Sequence, residues 1–387
     1  MSDEIDPYQG REHSKIKHLF LADYLQAASF KVLQGPAAAK CFTYVDGFAG
    51  PWSVADEEEC SDSSFDYAIR VLRDTQAALE KAGRTPPKLR FLLCERDPEQ
   101  FKKLSAYAAR KTGIEIHVFR GAFEDNLQAI RARCEGFTFS FIDPKGWNLR
   151  SAEIAAFLAS VRGDFVLNFM EHPISRHNSL ELVQESFGRF LDDALWHEKI
   201  STLPGTPPRA MQILAMLKDR LKSKGAARFM PDFAILKPRA DRVQMRLILG
   251  THHAQGVEVF RTVQKKIETV QAETRRTLAT GDDPQSSIFP SEALNTMDLD
   301  GRGVGGERSL TLARTACIEI MNKADRPVRF EVLAARVMED AAVRMTNVKD
   351  LVVKLRALGL LSFDLDGGAK KPVDATPIRR ALTGAAL

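Results

Sequence analysis

Through its first 170 residues the chain alternates short apolar runs, rich in aromatic and β-branched residues, with longer helix-like stretches. The runs are CFTYVDGF (41–48), RFLLCE (90–95), IEIHVF (114–119), FTFSFID (137–143) and DFVLNFM (164–170), and helical patterns such as 66–81, 98–111 and 152–161 lie between them. Such alternation predicts βαβ units and a parallel sheet with helices on both faces, and near-continuous apolar strands suit burial on both sides. Composition agrees: 44% hydrophobic and 27% charged residues suit a globular chain and exclude disordered or collagen-like classes. Five cysteines with no CxxC pair argue against a disulfide framework or structural zinc site. No apolar run reaches the ~18–20 residues of a membrane span, and the first residues lack the apolar stretch of a signal peptide. The expectation is a cytoplasmic protein without membrane contact.

The pattern changes after 170. Residues 174–230 predict a mostly helical insertion, and DFAILKP (232–238) with RVQMRLILG (242–250) predict an antiparallel hairpin closed by a polar turn. Five parallel-type strands finished by a hairpin are the build of class I methyltransferases, a seven-stranded, mostly parallel Rossmann-like α/β sheet with a reversed last strand. A helix over 256–276 completes a first domain over 1–280. Gly-rich and polar residues make 281–306 a linker. Residues 307–387 predict three short helices, a strand and a basic turn, the order of a winged helix, with Thr346 as a helix cap and Gly359 as a helix stop.

Charge is uneven. Residues 200–280 carry 15 lysines and arginines against six acidic residues, a balance that permits an acidic partner such as DNA or RNA. It equally suits a solvated helix face and a polar turn.

The strongest motif is Tyr44-Val45-Asp46-Gly47-Phe48-Ala49-Gly50-Pro51, where the first strand must turn. An acid followed by two glycines lets the backbone approach a cofactor closely. The spacing is not GxGxxG, and an acidic loop intervenes before the next helix, which disfavours a dinucleotide and suits S-adenosylmethionine. Asp46, Gly47, Phe48, Ala49 and Gly50 are therefore candidate cofactor residues. Glu95, ending the second strand, is placed to accept hydrogen bonds from ribose hydroxyls. After the third strand Ala122 stands where an adenine-reading acid is expected, so Glu124 or its neighbour Asp125 must substitute, or the contact is absent. The fourth strand ends FIDPKGWN, similar to the DPPY-type motif of amino-methylating enzymes, in which a carboxylate and a carbonyl accept from the target amine and an aromatic ring stacks on the base. Asp143 and Pro144 are the candidate acceptor-orienting residues and Trp147 the candidate stacking ring, with Lys145 where Pro would stand. Asn168, with Arg176 after it, and the pair His252–His253 are placed on the same carboxyl edge. The His pair has no companions at metal-ligand spacing, so no metal is expected. Neither a GxSxG elbow nor a Pro-Cys nucleophile follows any strand, which removes hydrolase and cytosine-C5 chemistry.

With DGFAGP, CERD, FIDPKG, LNFMEHPISR and ILGTHHAQGVEVF in this order, the chain resembles the three-Cys-motif partner protein (TcmP) family. The resemblance runs from about Lys15 to the C-terminus. It implies a class I S-adenosylmethionine-dependent methyltransferase-like fold with a C-terminal extension, and a separate three-Cys-motif protein as partner. The family's FAGPG is FAGPW here, and its Asp-Pro-aromatic-Gly is Asp-Pro-Lys-Gly. Two functions follow as expectations. One is methyl transfer to nucleic acid, with an exocyclic amine as acceptor. The other is a non-catalytic adaptor that binds a partner protein or DNA, suggested by the departures at Trp52, Ala122 and Lys145.

Overall fold

The computed structural model describes residues 8, 10–34, 39–52, 54–56, 58–147, 149–171, 181–205, 207–280, 301–365 and 367–381. The chain divides into two compact units, Met1–His252 and His253–Leu387.

The first unit is built on seven strands: β1 (Cys41–Asp46), β2 (Lys88–Glu95), β3 (Glu115–Arg120), β4 (Phe137–Ile142), β5 (Gly163–Met170), β6 (Asp232–Leu236) and β7 (Val243–Gly250). Their order across the sheet is β3-β2-β1-β4-β5-β7-β6, with β1 to β5 mutually parallel and β7 antiparallel to both β5 and β6. This is the mostly parallel, class I methyltransferase-like α/β sheet expected from the sequence. The reversed strand lies one place in from the edge, and β6 occupies the edge itself. β1 and β4 are buried along their whole length, which explains their unbroken apolar runs. Crossovers pass in opposite directions on either side of β1, so the crevice between the ends of β1 and β4 is the topological switch point where ligands bind in open α/β sheets.

Helices α2 (Ser64–Lys81), α3 (Pro98–Arg110), α4 (Phe123–Arg131) and α5 (Ser151–Ser160) connect the parallel strands. Local chemistry starts them where the sequence allows. Ser63 accepts from the N–H of Asp66 at α2, and Asp97 accepts from those of Glu99 and Gln100 at α3, with Pro98 behind it. The insertion contributes α6 (Glu181–Leu191), α7 (Trp196–Ser201) and α8 (Arg209–Ser223), its first residues, 174–180, lying outside the described residues. Before β1 comes a helix the sequence analysis did not anticipate, α1 (Glu12–Gln34). It lies on the sheet through Phe20 against Phe233 (ring centroids 5.1 Å apart) and Tyr24 against Phe139 (5.7 Å), and the Tyr24 hydroxyl donates to Asp164 at 2.9 Å. Aromatic pairs in such tilted arrangements add to the hydrophobic term, and a buried tyrosine hydroxyl needs its partner.

In the second unit α9 (Ala254–Thr280) is followed by α10 (Glu307–Asn322), β8 (Val328–Arg329), α11 (Phe330–Asp340), α12 (Met345–Ala357), β9 (Leu361–Ser362) and β10 (Pro377–Arg380), with the small antiparallel sheet ordered β8-β10-β9. The expected boundary at 280 therefore differs from the division at His252/His253, for a physical reason. Buried Arg261 of α9 donates to the carbonyls of Met338 (2.6 Å) and Glu339 (3.0 Å), satisfying the C-terminal end of α11 and tying α9 to this unit. Residues 281–300 of the expected linker lie outside the described residues; beyond them Val304 is buried and its N–H reaches Glu268 of α9 at 2.8 Å. Helix α12 begins at Met345, one residue before Thr346, and Asn347 reaches back to the N–H of Arg344 at 2.9 Å. Gly359, at φ +70°, ends that helix as expected, in the left-handed conformation that a side chain would strain. Among the described residues no helix is long and apolar enough to cross a membrane.

Candidate functional site

Asp46 ends β1 and is fully buried. Its Oδ1 accepts from the N–H of Phe48 (3.0 Å), and its Oδ2 accepts from the hydroxyls of Ser64 (2.7 Å) and Tyr44 (3.2 Å). The carboxylate thus fixes the turn and the start of α2 rather than facing a ligand. Burial pushes its pKa up to about 6; the Ser64 and Phe48 hydrogen bonds pull it down and the nearby Asp143 charge pushes it up again. A carboxyl raised from its unfolded value contributes stability that is complete below about pH 4 and is lost as pH rises through about 6, on the order of 3 kcal/mol. Asp46→Asn keeps an acceptor for Phe48 and does not ionise. Its melting temperature should gain several degrees on the wild type between pH 4.5 and 7.5; a difference that does not change with pH rules out this titration.

After Asp46 the backbone turns tightly. Gly47 donates to the carbonyl of Phe141 (3.1 Å) and Ala49 to that of Cys94 (2.8 Å), so the turn hangs between β4 and β2. A Cβ at Gly47 would lie 2.9 Å from the Phe123 ring, and Phe48 packs on the same ring at 6.1 Å. Gly50 makes the closest approach: a Cβ there would stand 2.0 Å from Glu95 Oε2 and 2.4 Å from Trp52 Nε1. Glu95 is buried at the end of β2, and its Oε1 accepts from the N–H of Asp97 at 2.6 Å. Among the described residues Oε2 accepts no hydrogen bond. A carboxylate oxygen left open above a glycine, on an otherwise buried residue, suits the vicinal hydroxyls of a ribose, so Gly50 and Glu95 fit the nucleoside half of S-adenosylmethionine. Glu124 is differently occupied. Its carboxylate accepts from the N–H of Arg150 at 3.1 Å and holds the loop after β4.

That loop carries the second half of the site. Asp143 follows β4 and receives hydrogen bonds from Lys17 of α1 on Oδ2 and from the amide of Asn168, at 2.5 Å, on Oδ1. Burial would raise the Asp143 pKa, but the Lys17 ammonium and the two hydrogen bonds outweigh it and hold the carboxyl below the usual range. Burial, reinforced by the Lys17 charge, lowers the pKa of neighbouring His13 and brings that of His18 down to about 3. Asn168 is 2% exposed, and among the described residues its Oδ1 has no hydrogen-bond partner. Pro144 is buried and its carbonyl accepts from Gly146 at 3.1 Å.

Trp147 is not the exposed ring the motif suggested. Its indole, half-buried, packs against Phe169 (5.0 Å), Phe187 (5.0 Å) and Phe190 (5.1 Å) and anchors the insertion to the sheet. Trp52, 41% exposed, is instead the accessible indole, and the Lys145 ammonium lies 3.3 Å from its centroid in a cation–π contact. Burial lowers the Lys145 pKa, opposed by Glu95, Asp143 and Asp97.

Two further expectations are corrected. His252–His253 follow β7, which runs against β5; Gly250 pairs with Phe165 at the start of β5, so the pair sits at the edge opposite Asp143. Among the described residues no group of three or more His, Cys, Asp or Glu side chains is placed to hold a metal. Arg176 lies outside the described residues. Part of the basic stretch is paired with acids, with Lys218 and Arg246 turned inward. Lys218 and Arg246 pair with Asp232, Arg246 reaches Glu171 at 2.7 Å, and Arg220 and Lys224 both meet Asp192. In the turn between β6 and β7 Arg239 and Arg242 are exposed and Lys237 is half-buried. Because β6 is parallel to β5, that turn places Lys237, Arg239 and Arg242 on the same edge as Asp143 and Asn168. Lys17 was missed by the sequence analysis, although Ile16, Phe20, Leu21, Tyr24 and Leu25 recur at helical spacing and could have revealed α1.

No protein-family model and no curated protein matches the chain. Among solved structures it is similar to LPL1258, a DUF519 protein from Legionella pneumophila (13% identity over 68% of this chain and 90% of that one, TM-score 0.36). It is also similar to the O-methyltransferase TomG from Streptomyces achromogenes in complex with S-adenosylmethionine (10%, 60% and 79%, TM-score 0.31), and to human methyltransferase-like protein 13 in complex with S-adenosylhomocysteine (12%, 72% and 99%, TM-score 0.32). At these TM-scores the likenesses add no weight to the strand order itself.

Proposed function

We propose that the first unit is an S-adenosylmethionine-dependent methyltransferase acting on an amine of a nucleic acid, DNA or RNA. One observation carries the proposal: at the switch point of the sheet a carboxylate held ionised, Asp143, adjoins a buried amide oxygen without a partner, that of Asn168. Both are hydrogen-bond acceptors, and an exocyclic amine brings two N–H donors. Because Lys17 and Asn168 lower its pKa, Asp143 is a weak base, suited to orienting an amine rather than deprotonating it. Two of its roughly four lone-pair sites are taken, leaving room for the acceptor. Gly50 and Glu95 would hold the cofactor, which when bound supplies a methyl group on a sulfonium. The chain's contribution to rate is then alignment, the effect of holding two reactants at attack distance. The basic turn at Lys237, Arg239 and Arg242 supports a phosphate-bearing acceptor.

A three-Cys-motif protein is proposed as partner on the strength of the sequence resemblance alone. The adaptor alternative is favoured by one feature: Trp52 and Lys145 lie together beside the Gly50–Glu95 cradle. Calorimetric titration with S-adenosylmethionine separates the two. Micromolar binding that Glu95→Ala abolishes is expected, and absence of binding to folded protein would leave the adaptor.

A further inference from the structure

The second unit has a shallow, open depression of about 560 Å³ between the end of α10 and the outer face of α11. Three arginines line it. Arg326 stands on the turn before β8, Arg329 precedes α11, and Arg336 lies seven residues further on, so with Val332 it falls on the same helix face as Arg329. Arg326, Arg329 and Arg336 are all exposed. Arg329 meets Glu331 at 2.9 Å, across a pair that is itself solvent-exposed. Among the described residues Arg326 and Arg336 have no acidic partner, and Asp325 is the lining acid.

Three exposed guanidiniums stand here against two carboxylates, Asp325 and the Glu331 that pairs with Arg329, and their mutual repulsion opposes the arrangement. A folded surface that needed only solubility would intersperse the two signs. Guanidinium forks match the oxygens of a phosphate in bidentate geometry, which lysines cannot do. The neighbouring elements narrow the source. Helices α11 and α12 are joined by a short connection, and α12 ends with Lys354 and Arg356. In helix-turn-helix units the first helix of such a pair crosses the backbone while the second enters the groove.

We propose that the Arg326–Arg329–Arg336 hollow seats a backbone phosphate of a nucleic-acid duplex. This deepens the nucleic-acid reading above, and it rests on the winged-helix-like arrangement of this unit. The test uses the full chain without cofactor and a labelled DNA duplex of about 20 base pairs, with affinity followed by anisotropy over a salt series. Arg326→Ala and Arg336→Ala should each weaken binding to unrelated sequences about equally, and should each lower the slope of log K against log salt by about 0.9. Arg336→Glu should weaken it further, with unchanged melting temperatures showing that the fold persists. Inorganic phosphate is added at matched ionic strength. If it competes with the wild type but not with Arg336→Ala, the hollow also takes free phosphate; if it does not compete, it holds phosphate only within a backbone. A duplex that fails to bind, or binds the variants with wild-type affinity and slope, overturns the proposal. Titration of the same preparations with S-adenosylmethionine reports separately on the first unit, so either reading can fail alone.

Discussion

Asp143→Ala is expected to lower methyl transfer by about 10²–10³-fold, the usual loss when one preorganised hydrogen-bonding group is removed from a reacting centre. Cofactor affinity should stay within a few-fold of wild type, because Gly50 and Glu95 lie on other strand ends. Single-turnover transfer and calorimetry on the same preparation measure the two effects. The variant carries a complication that the structure makes explicit. Lys17 and Asp143 are largely buried, with side-chain exposures of 10% and 19%, so removing the carboxylate leaves an ammonium without its anion. Breaking a buried pair in this way costs about 3–5 kcal/mol. Asp143→Asn combined with Lys17→Met removes both charges and should recover most of the lost melting temperature while remaining inactive. If that pair instead restores transfer, the Asp143 charge is not what orients the acceptor. If Asp143→Ala abolishes cofactor binding in a folded protein, Asp143 belongs to the cofactor site.

Gly50→Ala should lose cofactor binding by about 100-fold or more while remaining folded. The added methyl would overlap Glu95 Oε2 and Trp52 Nε1, both of which are ends of flexible side chains. Those ends can swing away without moving the sheet, so the stability change should stay within the ~1–3 kcal/mol of a typical overpacking substitution. What is lost is the placement of the Glu95 carboxylate. Gly136 makes a useful contrast. Its φ is +69° and its missing Cβ would lie 2.1 Å from the backbone carbonyl of Cys41, so alanine there should destabilise the fold itself. Equal loss of melting temperature in the two variants would count against the cradle.

The reach of the sequence differs from element to element. All seven strands appear within about two residues of their predicted positions: the central strands, buried on both faces, must be apolar along their length, and half-exposed β3 is still bounded by turn residues. The Gly50 turn, Glu95 and Asp143 were recognisable for a related reason: they end parallel strands, and parallel strands share an edge. The same inference failed for His252–His253, since β7 is reversed and a strand's direction is set by its pairing partner. It could not foresee the neighbours of Trp147, because a tryptophan beside a site motif looks the same in sequence whether or not three phenylalanines of other elements pack against it.

What the sequence determined by itself was therefore local or periodic: the α/β class, the hairpin that closes the sheet, the helix stop at Gly359, and the two glycines that admit a close approach. The tertiary structure alone decided which charges meet. Lys17 finds Asp143 across 126 positions, and Lys218 and Arg246 fold inward onto Asp232 while Arg326 and Arg336 remain outward. Backbone geometry and apolar patterning act over a few residues and leave a periodic trace. Ion pairing acts over a few ångströms between residues of any separation, and so has no trace in sequence until the packing of the sheet brings the partners together.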